Sequence, residues 1–130
     1  MSAPRNRRGA AVLACAMMLS SVGSPAAARA DDVVLYEVLS GQIAVANIEW
    51  QDAAGRRYTP GATLPWRAAV PVQAPLGPPP NGSQIRAEWR RNAWPAKWVT
   101  VRISYRGKVI CQNTLDVGNA ACYGATARVT

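Results

Sequence analysis

From Trp98 to Tyr105 the chain reads as its clearest strand. Val99, Val101, Ile103 and Tyr105 are apolar or aromatic, and Thr100, Arg102 and Ser104 between them are polar. A period of two sends successive side chains to opposite faces of a strand, so this segment has one buried and one wet face and needs a second layer to cover it. Arg106-Gly107 reads as a two-residue turn into an extended stretch from Lys108 to Leu115, which predicts a hairpin. The rest of the chain follows the same grammar. Val33 to Leu39 is β-branched and aromatic, bounded by Asp31-Asp32 and Ser40-Gly41. Ile43 to Gln51 leads through Asp52-Ala53-Ala54-Gly55 into Arg56-Arg57-Tyr58, and Thr59-Pro60-Gly61 breaks the chain again. Leu64 to Val72 is extended, but Pro65 and Pro71 confine it to an edge or an irregular strand.

Pro75 to Ser83 holds four prolines and two glycines and predicts a surface loop between two halves of one domain. Gln84 to Arg90 is extended again, Asp116-Val117-Gly118 is a turn, and Ala120 to Val129 reads as the last strand. About seven short strands in about 100 residues predict an all-β fold, a small antiparallel sandwich of immunoglobulin-like type. A compact barrel is the alternative.

Residues 1–30 have a different composition. Arg5, Arg7 and Arg8 form a basic start, a 14-residue apolar run follows from Gly9 to Val22, and Ala26-Ala27-Ala28-Arg29-Ala30 supplies small residues before Asp31. Those three parts make a secretory signal peptide, with cleavage expected after Ala30 and an exported β-sandwich domain at 31–130. The run falls short of the ~20 residues that span a bilayer, so no stable transmembrane segment is expected after cleavage; retention as an uncleaved N-terminal anchor is the weaker reading. Val12-Leu13-Ala14-Cys15 loosely resembles a lipoprotein box, but too little apolar sequence precedes Cys15. Arg7-Arg8 lacks the bulky residues that follow a twin-arginine signal, and fits an ordinary basic start.

Export changes the charge argument. The whole chain carries 15 basic and 7 acidic residues, whereas the mature chain keeps 11 and 7, a net charge of +4. That excess suits an anionic cell envelope or an acidic partner, and also simply solubility. Nucleic acid is not an expected partner outside the cell. Cys111 and Cys122 remain in the mature chain, and an even pair in an oxidising compartment predicts a structural disulfide. If the last strand pairs with its predecessor across Asp116-Val117-Gly118, however, Cys111 faces Tyr123 and the two thiols point to opposite faces. The disulfide therefore requires a bulge or a different partner for the last strand.

There is no histidine, which removes the commonest general base, the usual nucleophilic triads and most catalytic metal sites. Glu49 and Asp52 imitate a glycosidase pair but sit at a strand-to-turn transition, where acids serve solvation and turn formation. No enzyme, cofactor or metal site is expected. The distinctive resource is five tryptophans: Trp50, Trp66, Trp89, Trp94 and Trp98. Trp50 and Trp66 lie in strand contexts and predict core positions. Residues 88–98 instead interleave aromatics with cations around Pro95. Trp89, Arg90, Arg91, Trp94 and Lys97 are the candidate contact surface, with Trp94 the ring expected to be exposed. Inward packing of Trp89 and Trp98 under a solvated, cationic tip is the alternative of equal weight.

The order of short motifs carries one further reading. Tyr36-Glu37-Val38 is followed by Ala46-Asn47-Ile48-Glu49-Trp50 with Asp52 and Gly55, then Leu64-Pro65-Trp66, then Val101 to Val109 around Arg106-Gly107, then Gly118 and Cys122. This succession, across about Val33 to Ala125, resembles the extracytoplasmic domain of the MmpS family, small mycobacterial membrane proteins that accompany MmpL transporters. The resemblance implies an immunoglobulin-like sandwich and a non-catalytic accessory role in export of lipids or lipidic siderophores, with an MmpL-type transporter or an envelope lipid or glycan as partner. The chain departs from the family pattern in its short, removable leader and in carrying Val101 where the family's first cysteine tends to fall. It looks like a secreted relative. A freestanding secreted carbohydrate- or lipid-binding module, or a secreted protein ligand or inhibitor, are the other functional classes that fit.

Overall fold

The computed structural model describes residues 32–126; the leader, its cleavage site and the last four residues lie outside the described residues. Eight strands form: β1 (Val33–Leu39), β2 (Val45–Asp52), β3 (Gly55–Thr63), β4 (Trp66–Pro71), β5 (Gln84–Glu88), β6 (Val99–Tyr105), β7 (Lys108–Leu115) and β8 (Asn119–Tyr123). They make two antiparallel sheets, ordered β4-β1-β6-β7 and β3-β2-β5-β8, packed face to face. The immunoglobulin-like sandwich is thus the architecture, with one strand more than the seven read from the sequence. The alternation in β6 lies as expected. Val99, Val101 and Ile103 are buried, and Arg102 faces outward.

The polar side of β6 is ordered as well. Glu37 on β1 stands between Arg67 on β4 and Arg102 on β6, and Arg102 continues to Gln112 on β7. One row of four side chains thus crosses the whole sheet. Glu37 is buried beneath its two arginines, so its charge is compensated where it is least hydrated. The hairpin between β6 and β7 turns through Arg106 and Gly107, both at positive φ (53° and 77°), as a type I′ turn requires.

Three features correct the sequence reading. Thr59-Pro60-Gly61 does not break the chain but lies inside β3, as a bulge opposite Asn47, whose Oδ1 accepts the Gly61 N–H at 2.8 Å. Pro60 is tolerated because β3 is an edge strand with no ladder bond to lose there. The last strand ends at Tyr123; of the expected stretch to Val129, residues 127–129 lie outside the described residues. Above all, β8 does not continue the β7 sheet. It crosses to the other layer and pairs with β5, Ile85 opposite Cys122. That exchange removes the register conflict: Cys111 and Cys122 both face the interior and are disulfide-bonded, with Cα atoms 5.8 Å apart. β4 is an edge strand, and the Leu64–Pro65 bond that leads into it is cis.

The bridge joins the edges of the two sheets on the β7–β8 side. Trp50 and Trp66, partly buried, join β2 to β4 with ring centroids 4.9 Å apart. Between these flanks sits Tyr36, fully buried on β1. Its hydroxyl donates to the Gln51 carbonyl at 2.7 Å and accepts the Gln84 N–H at 3.0 Å, both on the opposite sheet. Burial pushes this phenol up to about 12, because the charged form would lose hydration. The stability carried by the neutral hydroxyl is therefore complete below pH 10.0 and is lost as pH rises towards 12. Tyr36→Phe is expected to cost about 1–3 kcal/mol at neutral pH by stranding two buried backbone groups, and to flatten the alkaline fall in stability. Denaturant titrations of both proteins across this range check it. An unchanged alkaline slope in the variant would show that another group is responsible.

Candidate functional site

The loops divide between two ends of the sandwich. The turn at Ala53-Ala54, the Pro-rich loop, the Arg106-Gly107 turn and the entry of the chain at Asp32 share one end. At the other, residues 40–44, 89–98 and 116–118 converge. The tryptophan and arginine segment belongs to this second end, remote from where the chain enters.

Its inner wall is Trp89. Ile85, Ala87 and Trp89 share the inward parity of β5, and Trp89 is only 3% exposed, closing the end of the core. Its indole Nε1 is buried without a hydrogen-bond partner among the described residues, a cost accepted for the apolar area of the ring. Burial withdraws Trp89 from the candidate contact surface. Arg90, Arg91 and Lys97 are exposed, and Trp94, at 67% exposure, is the outward ring the sequence predicts. Trp98, read as inward in the alternative, is 47% exposed.

After Trp89 the backbone makes one 3-10 turn, Arg90–Asn92, and runs through Pro95 to β6. It is held from several sides. The Glu88 carboxylate accepts the Arg90 N–H at 2.8 Å and the Asn47 amide at 3.1 Å. The Arg90 N–H above all, with the Asn47 side chain and the charges of Arg90 and Arg86, holds Glu88 below the usual carboxylate range against the opposing effect of burial. Asp116 accepts the Ala96 N–H at 2.8 Å. Gln42 clamps the same stretch twice, donating to the Ala96 carbonyl at 3.2 Å and accepting the Trp98 N–H at 2.9 Å. The Ser40 hydroxyl donates to the Trp98 carbonyl at 2.7 Å. Gly118 accepts the Trp89 N–H at 2.8 Å and lies at φ +103°; a Cβ there would come within 2.9 Å of the Arg90 side chain. Only glycine lets the 116–118 turn pass this closely.

The cations of this loop differ from those elsewhere. Arg57 pairs with Asp52, Arg67 and Arg102 with Glu37, and Arg86 with Glu49 at 3.7 Å. Arg56 donates to Gln84 and Arg106 stacks on Tyr105. Arg90, Arg91 and Lys97 make no ion pair or side-chain hydrogen bond among the described residues. A recess of about 520 Å³ lies beside them, lined by Val45, Asn47, Gly61, Glu88, Arg90 and Arg91 among others. Neither Trp94 nor Trp98 lines it, nor the adjoining hollow at Gln42, Ile43 and Lys97. Both rings are exposed to solvent outside these two recesses.

Among the described residues no three His, Cys, Asp or Glu side chains gather as metal ligands, and no helix is long and apolar enough to cross a membrane. Fold and site define a disulfide-stapled β-sandwich that presents a rigid aromatic and cationic loop at one end. No model of a known family matches the chain, and no curated protein matches it in sequence. Gln42, Ser40 and Asp116, which fix the loop, were not legible as site residues, because their partners lie 20 or more positions away.

Trp94→Ala is expected to leave stability within about 0.5 kcal/mol, whereas Trp89→Ala costs about 3–5 kcal/mol. Gln42→Ala, losing two hydrogen bonds, costs about 1–2 kcal/mol and speeds hydrogen exchange at the Trp98 amide. Chemical denaturation of the three variants, with exchange measured on the last, provides the check.

Proposed function

We propose that this chain is an exported, non-enzymatic accessory or binding domain of the cell envelope, similar in role to MmpS proteins and assisting MmpL-type export of lipids or siderophores. The observation that carries the reading is the loop at 89–98. Exposed cations and indoles are carried there on a backbone fixed by side chains of neighbouring loops, at the end of the sandwich opposite the chain entry. A backbone fixed before binding loses little entropy on engaging a partner, and Trp and Arg are the side chains that interface hot spots favour. The disulfide supports work in an oxidising compartment. The ordered motifs from Tyr36 to Cys122 support the kinship. A freestanding envelope-binding module is the second reading, favoured by an apolar leader of 14 residues, too short to serve as a spanning tether.

The test is the intact mass of the native protein from culture, cell-surface and cytosolic fractions, with and without thiol alkylation. A chain beginning at Asp31, two hydrogens light and refractory to alkylation, is expected outside the cytosol. A cytosolic chain with two reactive thiols would overturn the proposal. An uncleaved chain in the membrane fraction, crosslinked to a transporter, would choose the tethered accessory over the freestanding module.

A further inference from the structure

We infer that the 89–98 loop docks on anionic lipid. Trp94, Trp98 and Val117 enter the interfacial layer of a bilayer, and Arg90, Arg91 and Lys97 meet its phosphate headgroups. This deepens the reading of the loop as a contact surface, and rests on it.

Three independent observations point to a lipid surface. The first is exposure. Trp94 and Trp98 lie outside both recesses described at this end, and Val117, 63% exposed, sits on the turn whose Asp116 holds Ala96; three large apolar side chains are thus presented to solvent at one end. The second is charge complementarity. Nearly all described cations on the sheet faces are paired or stacked, whereas Arg91 and Lys97 make no ion pair or side-chain hydrogen bond among the described residues, and the Arg90 guanidinium meets Glu88 only through its field. The two acids at this end, Glu88 and Asp116, are turned to backbone N–H groups. Indoles favour the boundary between headgroups and acyl chains, and Arg and Lys place their apolar stems there while the charge reaches phosphate.

The third concerns the backbone. A loop pressed into a bilayer cannot leave main-chain donors without partners. Here the N–H groups of Arg90, Asn92, Ala93, Ala96, Lys97 and Trp98 are bonded within the domain, and Pro95 has none. Those of Arg91 and Trp94 are left for headgroup oxygens to meet, which sets the loop at headgroup depth.

The experiment uses the full mature chain with two sets of vesicles, one of phosphatidylcholine and one of equal parts phosphatidylglycerol and phosphatidylcholine. Co-sedimentation and tryptophan emission are read at low and high salt. Binding with a blue shift is expected on the mixed vesicles, lost on the neutral ones and at high salt. Trp94→Ala should weaken it about tenfold, and Arg91→Gln or Lys97→Gln about fivefold each. All three positions are exposed, so the variants report binding and not folding; circular dichroism confirms it.

A folded protein that ignores both vesicles overturns the assignment, as does binding unaffected by the three substitutions. Retention on soluble polyglutamate without vesicle binding would reassign the loop to an acidic protein, and likewise overturns it. The outcome is separable from that of the functional proposal. A cytosolic, reduced chain that still binds vesicles would refute export alone, and an exported, oxidised chain that ignores them would refute lipid docking alone.

Discussion

The sandwich depends on the hydroxyl of Tyr36. Two sheets packed only through alkyl groups can slide over one another, because apolar contact has no direction. Tyr36 belongs to β1, and its oxygen is bonded to Gln51 on β2 and Gln84 on β5. This buried atom is a directional link between the layers at the centre, as the Cys111–Cys122 bridge is at one flank. It also satisfies a main-chain donor and a main-chain acceptor that face the interior. The disulfide and the Trp50–Trp66 pair act at the flanks, where they close the sides of the core.

The layering has a consequence at the far end. With β1 and β2 in opposite layers, the loop between them must cross the end of the sandwich, and Ser40 and Gln42 lie on that crossing. From there they reach the backbone of residues 96–98. The β7–β8 connection makes a second crossing at the same end, supplying Asp116 and Gly118. The rigidity of the tryptophan loop thus follows from two chain crossings, and the stretch itself needs only a short 3-10 turn and one proline.

How far this was legible in the sequence varies with the kind of interaction. β6 and its hairpin could be read directly, because period two and a two-residue turn are local signals. The edge character of β4 followed from its prolines. The exposure of Trp94 was legible from its cationic neighbours. The burial of Trp89 was one of two readings of equal weight, and extending the parity of Ile85 and Ala87 by one residue would have decided for it; the same alternative placed Trp98 inward, where it is not. Crossing of β8 to the other sheet had no local signal, since a three-residue turn serves a hairpin and a crossing alike. The conflict between the cysteine positions and a hairpin was its only trace. Thr59-Pro60-Gly61 was misread for a similar reason: proline and glycine punctuate a chain, and only the tertiary position of β3 at an edge makes them a bulge.

Charge placement separates what stabilises the domain from what is free to act. Glu37, Glu49 and Asp52 each neutralise an arginine on a sheet, where an uncompensated cation would oppose packing. The end loop reverses that economy, with Glu88 and Asp116 engaged by the backbone and the cations left to solvent. The exposed indoles of Trp94 and Trp98 add apolar area that the core does not use. The chain enters at the other end, about 20 Å away along seven-residue strands, so Asp32 and Trp94 stand at opposite ends of the sandwich. The loop keeps its shape through Gln42, Ser40 and Asp116.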